Sequence, residues 1–141
     1  MGFGEAIRSV LSKYASFSGR ARRAEYWWFV LFNLLVSMAA SVLDLALFRN
    51  HGMDFRQTGP LEVLTSLALL LPSLAVWFRR LHDVGRSGWW WLLGLIPIVG
   101  WIVLFYWSVR RGDTGTNAYG PDPISASGNY GPSDIPRVTR R

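Results

Sequence analysis

The sequence predicts an all-α membrane protein: three transmembrane helices, an N-terminal amphipathic helix in the interface, and a disordered C-terminal tail. Three observations lead there. Half of the 141 residues are hydrophobic and eight are tryptophan, yet the formal net charge is +6. A chain of this length builds only a modest core, so a soluble domain would leave much of that apolar surface in water. The apolar residues also gather into long runs with no basic side chain, and the arginines gather at the ends of those runs. Lipid against the first and headgroups against the second reconcile both. The organisation read from this pattern is an interfacial helix over residues 1–18, a transmembrane domain over 19–111 and a Gly/Pro/Ser-rich tail over 112–141.

At the start, Phe3, Ile7, Val10, Leu11, Tyr14 and Phe17 recur at helical spacing. Glu5, Arg8, Ser9, Ser12 and Lys13 take the other face, giving an amphipathic helix of about four turns. It fits the inner headgroup layer, with its cations towards anionic lipid, or a place packed on the bundle. No continuous apolar stretch with a small-residue cleavage site precedes it, so no cleaved signal peptide is expected.

Tyr26–Phe48 is 23 residues without a basic side chain. As a helix it extends roughly 35 Å, enough for a hydrocarbon core of about 30 Å. Leu61–Phe78 has 18 residues, with Glu62 at its start and Pro72 inside. Arg79 and Arg80 can snorkel to extend this shorter span. Pro72 lacks an amide hydrogen, so it should bend the helix and leave a carbonyl one turn earlier without its partner. Trp89–Val109 has 21 residues, no charge, and aromatics at both ends, as membrane interfaces favour.

Orientation follows the basic residues. Arg8, Lys13, Arg20, Arg22 and Arg23 precede the first span, and Arg79, Arg80 and Arg86 lie between the second and third. Arg49, Arg56, Arg110 and Arg111 fall to the other side if all three segments cross, so eight face four. That balance expects the N-terminus in the cytoplasm and the C-terminus outside, with Arg110 and Arg111 against the trend. After Arg111 the chain turns to Gly, Pro, Ser and Asn, with too little apolar surface to fold alone, so its distal half is expected to be disordered. Asn117-Ala-Tyr119-Gly-Pro and Asn129-Tyr130-Gly-Pro echo one turn, too few copies for a repeat architecture.

The junction RRLHDVGRSGWWWLL, Arg79–Leu93, invites chemical readings. With no cysteine, thiolate catalysis and thiolate metal sites are excluded. His82 and Asp83 alone under-ligate a metal, and His51 belongs to the loop at the far end of the spans. Ser87 in GRSG does not sit in a nucleophile elbow, because Trp89 follows Gly88. The glycines are too sparse to cradle phosphate. No catalytic residue, metal or cofactor is expected. The arginines flank apolar spans and form no stripe on a soluble face, so no nucleic-acid partner is expected.

The bland reading is a tight loop: Gly85 and Gly88 allow the turn, and Ser87 or Gly88 starts the third helix. The sharper reading joins this loop to Ser18–Trp28 as one cytoplasmic polar cluster of Arg20, Arg22, Arg23, Glu25, Arg79, Arg80, His82, Asp83 and Arg86. Glu25 is expected to pair with Arg79 or Arg80, and Asp83 with Arg22 or Arg23. Arg20, Arg86 and His82 are then left for a lipid phosphate or an acidic partner protein.

Within the first span Asn33, Ser37, Ala40, Ser41 and Asp44 share one helical face, as do Glu62, Thr65, Ser66 and Ser73 in the second. Small and hydroxylated residues let helices approach closely in lipid. An antiparallel pairing sets Asn33 near Ser73 and Asp44 near Thr65 or Ser66. Packing is the bland reading of this stripe; a proton or cation site at Asp44 and Glu62 is the sharp one.

Three of these segments resemble one bacterial family, the domain-of-unknown-function family 805. They are GR-x-RR-x-EYWW at Gly19–Trp28, RRLHD-x-GRSGWW at Arg79–Trp90 and G-x-N-x-YGPDP at Gly115–Pro123, and the match extends over about residues 13–123. The resemblance implies a small multi-pass protein of the bacterial inner membrane and imports no catalytic residue. The expected function is a non-enzymatic accessory or assembly component. It would act on anionic lipid headgroups, or on a membrane-protein partner or second copy, through its arginine-rich face. The alternative is a transporter or channel subunit with Asp44, Glu62 and Asn33 along its path, and a membrane-embedded enzyme comes third.

Overall fold

The computed structural model describes residues 1–48 and 58–125. The loop holding Arg49, His51 and Arg56 and the distal tail with Asn129 and Tyr130 lie outside the described residues. Among the described residues four α-helices follow in order: α1 (Phe3–Ser12), α2 (Arg23–Phe48), α3 (Pro60–Asp83) and α4 (Val99–Val109), with a 3-10 helix, Gly88–Leu95, between the last two. No strand occurs among the described residues. The chain divides into two compact units. One holds Met1–Phe17 with Ala24–Trp77; the other holds Ser18–Arg23 with the described residues from Phe78 onward.

In the first unit, α2 and α3 have the length and apolar character of membrane spans. Only 11% and 17% of their apolar windows are buried, whereas core helices of a soluble protein would be mostly covered. Leu34, Met38, Val42, Leu64 and Leu67 are all exposed, which at about 25 cal/mol per Å² is costly unless lipid replaces water. Polar side chains join the two helices in an antiparallel register. Asn33 Nδ2 donates to Ser73 Oγ at 2.9 Å, and Ser41 Oγ donates to Glu62 Oε2 at 2.8 Å.

Helix α1 is shorter than its apolar spacing suggests. It ends at Ser12, with Lys13 as C-cap, so Tyr14 and Phe17 fall beyond it. It packs through Ala6 and Val10, both fully buried. The Phe3 ring meets Trp28 edge-on at 5.7 Å, and Ser9 Oγ donates to Glu25 Oε1 at 3.0 Å. Tyr14 completes the arrangement. Pro72 inside α3 deprives the Ala68 carbonyl of its helical donor, and the Tyr14 hydroxyl donates to that carbonyl.

In the second unit, the expected single helix over 89–109 is replaced by two short pieces folded back on each other. Eight residues of 3-10 helix and eleven of α-helix each cover about 16 Å. The break lies at Ile96-Pro97-Ile98. Pro97 has no amide hydrogen to continue a helix, and Ile98 takes φ +68°, a conformation rare for a β-branched residue. The two arms pack antiparallel: Trp90 meets Trp107 edge-on at 5.8 Å, and Trp101 Nε1 donates to the Gly94 carbonyl at 2.9 Å. Gly100 lies so close to the other arm that a methyl there would sit 1.7 Å from the Leu93 carbonyl oxygen.

The segment 112–125, the start of the Gly/Pro/Ser-rich tail whose distal half was expected to be disordered, is built into this unit. It carries a two-way backbone pairing between Asn117 and Gly120, at 3.1 and 3.2 Å. Its composition argues against folding alone, and its order comes from contacts with distant residues described below.

The Tyr14 bond can be isolated by a double-mutant cycle. Tyr14→Phe is expected to lower unfolding stability in detergent by about 1 kcal/mol. The same change made on Pro72→Ala should cost little, because an alanine there restores the amide that Pro72 lacks; equal losses in both backgrounds would refute the pairing.

Candidate functional site

The second unit brings three separated stretches together around one carboxylate. Arg20 comes from the segment before α2, Arg80 and Asp83 from the last turn of α3, and Asp113–Gly120 from the segment after α4. All three ionic side chains are buried. Arg20 Nε donates to Asp83 Oδ1 at 3.0 Å, while Arg80 Nη1 donates to Asp83 Oδ2. Two guanidiniums thus share one aspartate, with side-chain exposures of 1% and 4% in each pair.

Two buried cations on one anion leave a positive charge, and backbone carbonyl dipoles surround it. Arg20 Nη1 reaches the carbonyls of Gly115 at 2.6 Å and Gly120 at 3.3 Å, and Nη2 donates to that of Asp113. Arg80 Nε takes the Ser108 carbonyl at 3.1 Å, and Nη2 takes those of Trp107, at 3.2 Å, and Arg110. The last carbonyls of a helix lack intrahelical donors and carry its negative dipole end, so Arg80 caps α4. The main chain joins in. Asp113 N–H donates to the Asp83 carbonyl at 2.7 Å, and Ala21 N–H to the Arg79 carbonyl at 2.9 Å.

His82 and Tyr119 form the second half of the assembly. Their rings stack with centroids 4.1 Å apart and planes 1° from parallel. His82 Nδ1 lies 3.0 Å from the Gly19 carbonyl, and the His82 carbonyl accepts from Asn117 Nδ2 at 2.9 Å. Asn117 Oδ1 in turn accepts from Tyr119 N–H at 2.9 Å, an Asx turn. Asp122 closes the segment by accepting from Gly115 N–H at 3.3 Å.

Residues 79–83 lie beyond the apolar stretch of α3. There, burial lowers the His82 pKa, with the Gly19 hydrogen bond acting the other way. Burial raises the Asp83 pKa against the opposing pull of Arg80 and Arg20. The geometry decides which matters more for Asp83: both carboxylate oxygens hold guanidinium donors, an arrangement built for the ionised form.

These contacts correct the expected pairing of Asp83. Asp83 is held by Arg20 and Arg80, not by Arg22 or Arg23. Arg20 and His82, expected to be left for a ligand, are engaged inside the unit: Arg20 reaches both the carboxylate and the turn carbonyls, and His82 stacks on Tyr119 beside the Gly19 carbonyl. Arg86 lies over Trp107 at 5.1 Å and Trp90 at 5.9 Å, and Arg23 Nη1 donates to the Val109 carbonyl at 3.3 Å. Arg22 is half-buried and Arg79 buried. Glu25 belongs to the first unit, where it accepts from Ser9.

The polar stripe along α2 and α3 also differs in detail. Asp44 does not reach Thr65 or Ser66. Its carboxylate accepts from Leu61 N–H at 3.0 Å and Glu62 N–H at 2.9 Å, satisfying orphan amides at the start of α3. Ser37 Oγ reaches Glu62 Oε1 at 3.5 Å. Thr65 turns back on its own helix, to the carbonyls of Leu61 and Glu62 at 2.9 and 3.1 Å, and Ser66 is exposed. Among the described residues no three His or carboxylate side chains converge as metal ligands would.

Sequence reasoning missed Asp113, Asn117 and Tyr119 as members of the assembly. Their signal was the Gly115–Pro123 motif itself, whose Asn, Tyr and Gly are turn and stacking residues. A methyl at Gly112 would fall 2.0 Å from Asp83 Oδ2, so the chain must lack a side chain where it passes the carboxylate.

Substitutions at the hub and at the cap test this geometry. Arg20→Lys removes the planar fork that reaches four acceptor groups. Arg20→Lys and Asp83→Asn should each destabilise the protein by roughly 3–5 kcal/mol and speed tryptic cleavage after Arg110 and Arg111 by loosening the backbone there; unchanged cleavage would refute the hub. Asp44→Ala is expected to cost about 1 kcal/mol as a lost cap, with Asp44→Asn milder, since its one amide oxygen keeps one of the two bonds. Equal loss in the two, by thermal unfolding in detergent, would mean that the charge matters more than the cap.

Known proteins supply the context. The family described as "Protein of unknown function (DUF805)" matches residues 14–121. Inner membrane protein YhaH of Escherichia coli K12 is 43% identical over 115 residues, covering 81% of this chain and 92% of that protein. Inner membrane protein YhaI of the same strain is 46% identical, covering 82% and 92%. The uncharacterized protein YiiR is 34% identical over 104 residues, which is 60% of its own length. No solved structure matches. By the length of the family match and the identity to these relatives, the chain belongs to the DUF805 family.

Proposed function

We propose that this chain is a non-enzymatic, multi-pass component of the bacterial inner membrane that holds anionic lipid headgroups with the outer arginines of its second unit. Inner-membrane residence is supported by the family and by the apolar helices α2 and α3. The observation that carries the rest is how the arginines divide. Arg20 and Arg80 are turned inward and saturated, whereas Arg23, Arg86, Arg110 and Arg111 of the same unit are exposed. Trp89 and Trp90 lie exposed beside them, the pairing of cations and indoles that an interface favours.

In this reading α2 and α3 cross the bilayer and α1 lies at the interface with Arg8 and Lys13 towards lipid. The buried hub fixes where the outer arginines stand, and they bind through charge. The stripe from Asn33 to Asp44 joins helices and carries no ion, since both Asp44 oxygens already accept amides.

Each arginine near an anionic surface contributes about 1 kcal/mol. Replacing Arg86, Arg110 and Arg111 by Gln should therefore weaken retention of phosphatidylglycerol about a hundredfold, read by native mass spectrometry in mild detergent. Phosphatidylcholine retention should not change. Equal phosphatidylglycerol retention by the triple variant and the parent would remove the proposal.

A further inference from the structure

We infer that the apolar segment Gly88–Val109 does not cross the bilayer: it enters one leaflet, turns at Ile96–Ile98 and returns to the face it left. The inference rests on the reading that α2 and α3 cross. Its first support is the meeting of the segment's two ends. Asp113 N–H is 2.7 Å from the Asp83 carbonyl, and Arg80 at the end of α3 holds the carbonyls of Trp107 and Ser108. A crossing would put about 30 Å of hydrocarbon between those groups.

Length agrees. Each arm covers about 16 Å, half of such a core. Neither arm carries a charged residue, and apolar side chains are exposed along both arms and at the turn, with Leu95 at 75%, Ile98 at 66% and Ile102 at 63%. Backbone groups at membrane depth must find partners within the protein. At the turn Ile96 N–H donates to Leu93 at 2.9 Å, Val99 N–H to Pro97 at 2.9 Å and Gly100 N–H to Ile96 at 3.2 Å, while the Trp101 indole satisfies Gly94. One leaflet is therefore the partner that this exposed apolar hairpin fits.

Charge removes the remaining conflict. With a re-entrant third segment, Arg110 and Arg111 join the side that holds Arg8, Lys13, Arg20, Arg22, Arg23, Arg79, Arg80 and Arg86, so ten basic residues face Arg49 and Arg56 alone. The positive-inside rule then sets the segment after α4 in the cytoplasm with the N-terminus, opposite to the expectation from three crossings.

The chain has no cysteine, so single introduced thiols report one position each. Ser12→Cys, Thr58→Cys, Ile98→Cys and Thr116→Cys, each kept in carbonate-washed membranes, are labelled with an impermeant maleimide in spheroplasts and in inverted vesicles. Positions 12 and 116 should label only in inverted vesicles, position 58 only in spheroplasts, and position 98 in neither. Labelling of 116 in spheroplasts would overturn the hairpin and leave the two spans standing. Labelling of 98 from either face would also overturn it, and labelling of 58 only in inverted vesicles would instead remove the two-span reading beneath it.

Discussion

The second unit depends on one buried carboxylate shared by two arginines. Removing three charges from water is costly, and attraction between them offsets that cost only if every remaining donor finds an acceptor. Asp83 supplies two oxygens. The rest come from carbonyls that no helix uses: the last ones of α4, taken by Arg80, and those of the Asp113–Gly120 turns, taken by Arg20. Irregular backbone is therefore a requirement of this site. A regular helix or strand in its place would have its carbonyls already engaged, and Arg20 would be left buried with donors unmet.

That requirement reaches into the apolar segment. Arg80 fixes the end of α4 beside the end of α3, and the 3-10 helix starts from the same place, at Ser87 and Gly88. With both ends of a short segment pinned together, the chain between must reverse. Pro97 sets where, because it breaks the amide ladder at mid-segment. The Trp90–Trp107 contact and Arg86 above those two rings close the base of the hairpin. The ion cluster and the hairpin are thus one construction, with the electrostatics at its base determining the path of its apolar part.

The sequence made some of this legible. The helices α2 and α3 follow from length and hydropathy, and the Asn33–Ser73 contact follows from helical spacing in an antiparallel pair. Pro72 foretold an orphan carbonyl, though not that Tyr14 would satisfy it, because Tyr14 lies 54 residues from Ala68. The break at Pro97 was hidden for a different reason: a hairpin of two apolar arms has the same composition as one apolar rod, and length favoured the rod. The order of residues 112–125 was not legible because composition weighs only apolar burial. Their order comes from carbonyls accepting hydrogen bonds from Arg20, a contribution that no hydropathy window registers.

The partition of arginines bears on what the family's motifs mean. The match over residues 14–121 begins before Arg20 and ends just past Gly120, whose carbonyl Arg20 holds. Nearly all of the three motif stretches therefore falls within it, and each supplies part of the hub. Arg20, Arg80, His82, Asp83, Asn117 and Tyr119 draw attention as a chemical constellation, yet every one has an internal partner. A motif of this kind marks a clasp that brings distant segments to one place. Recognition of anything outside the protein then falls to side chains the clasp leaves exposed, and among these Arg110 and Arg111 lie outside all three motif stretches.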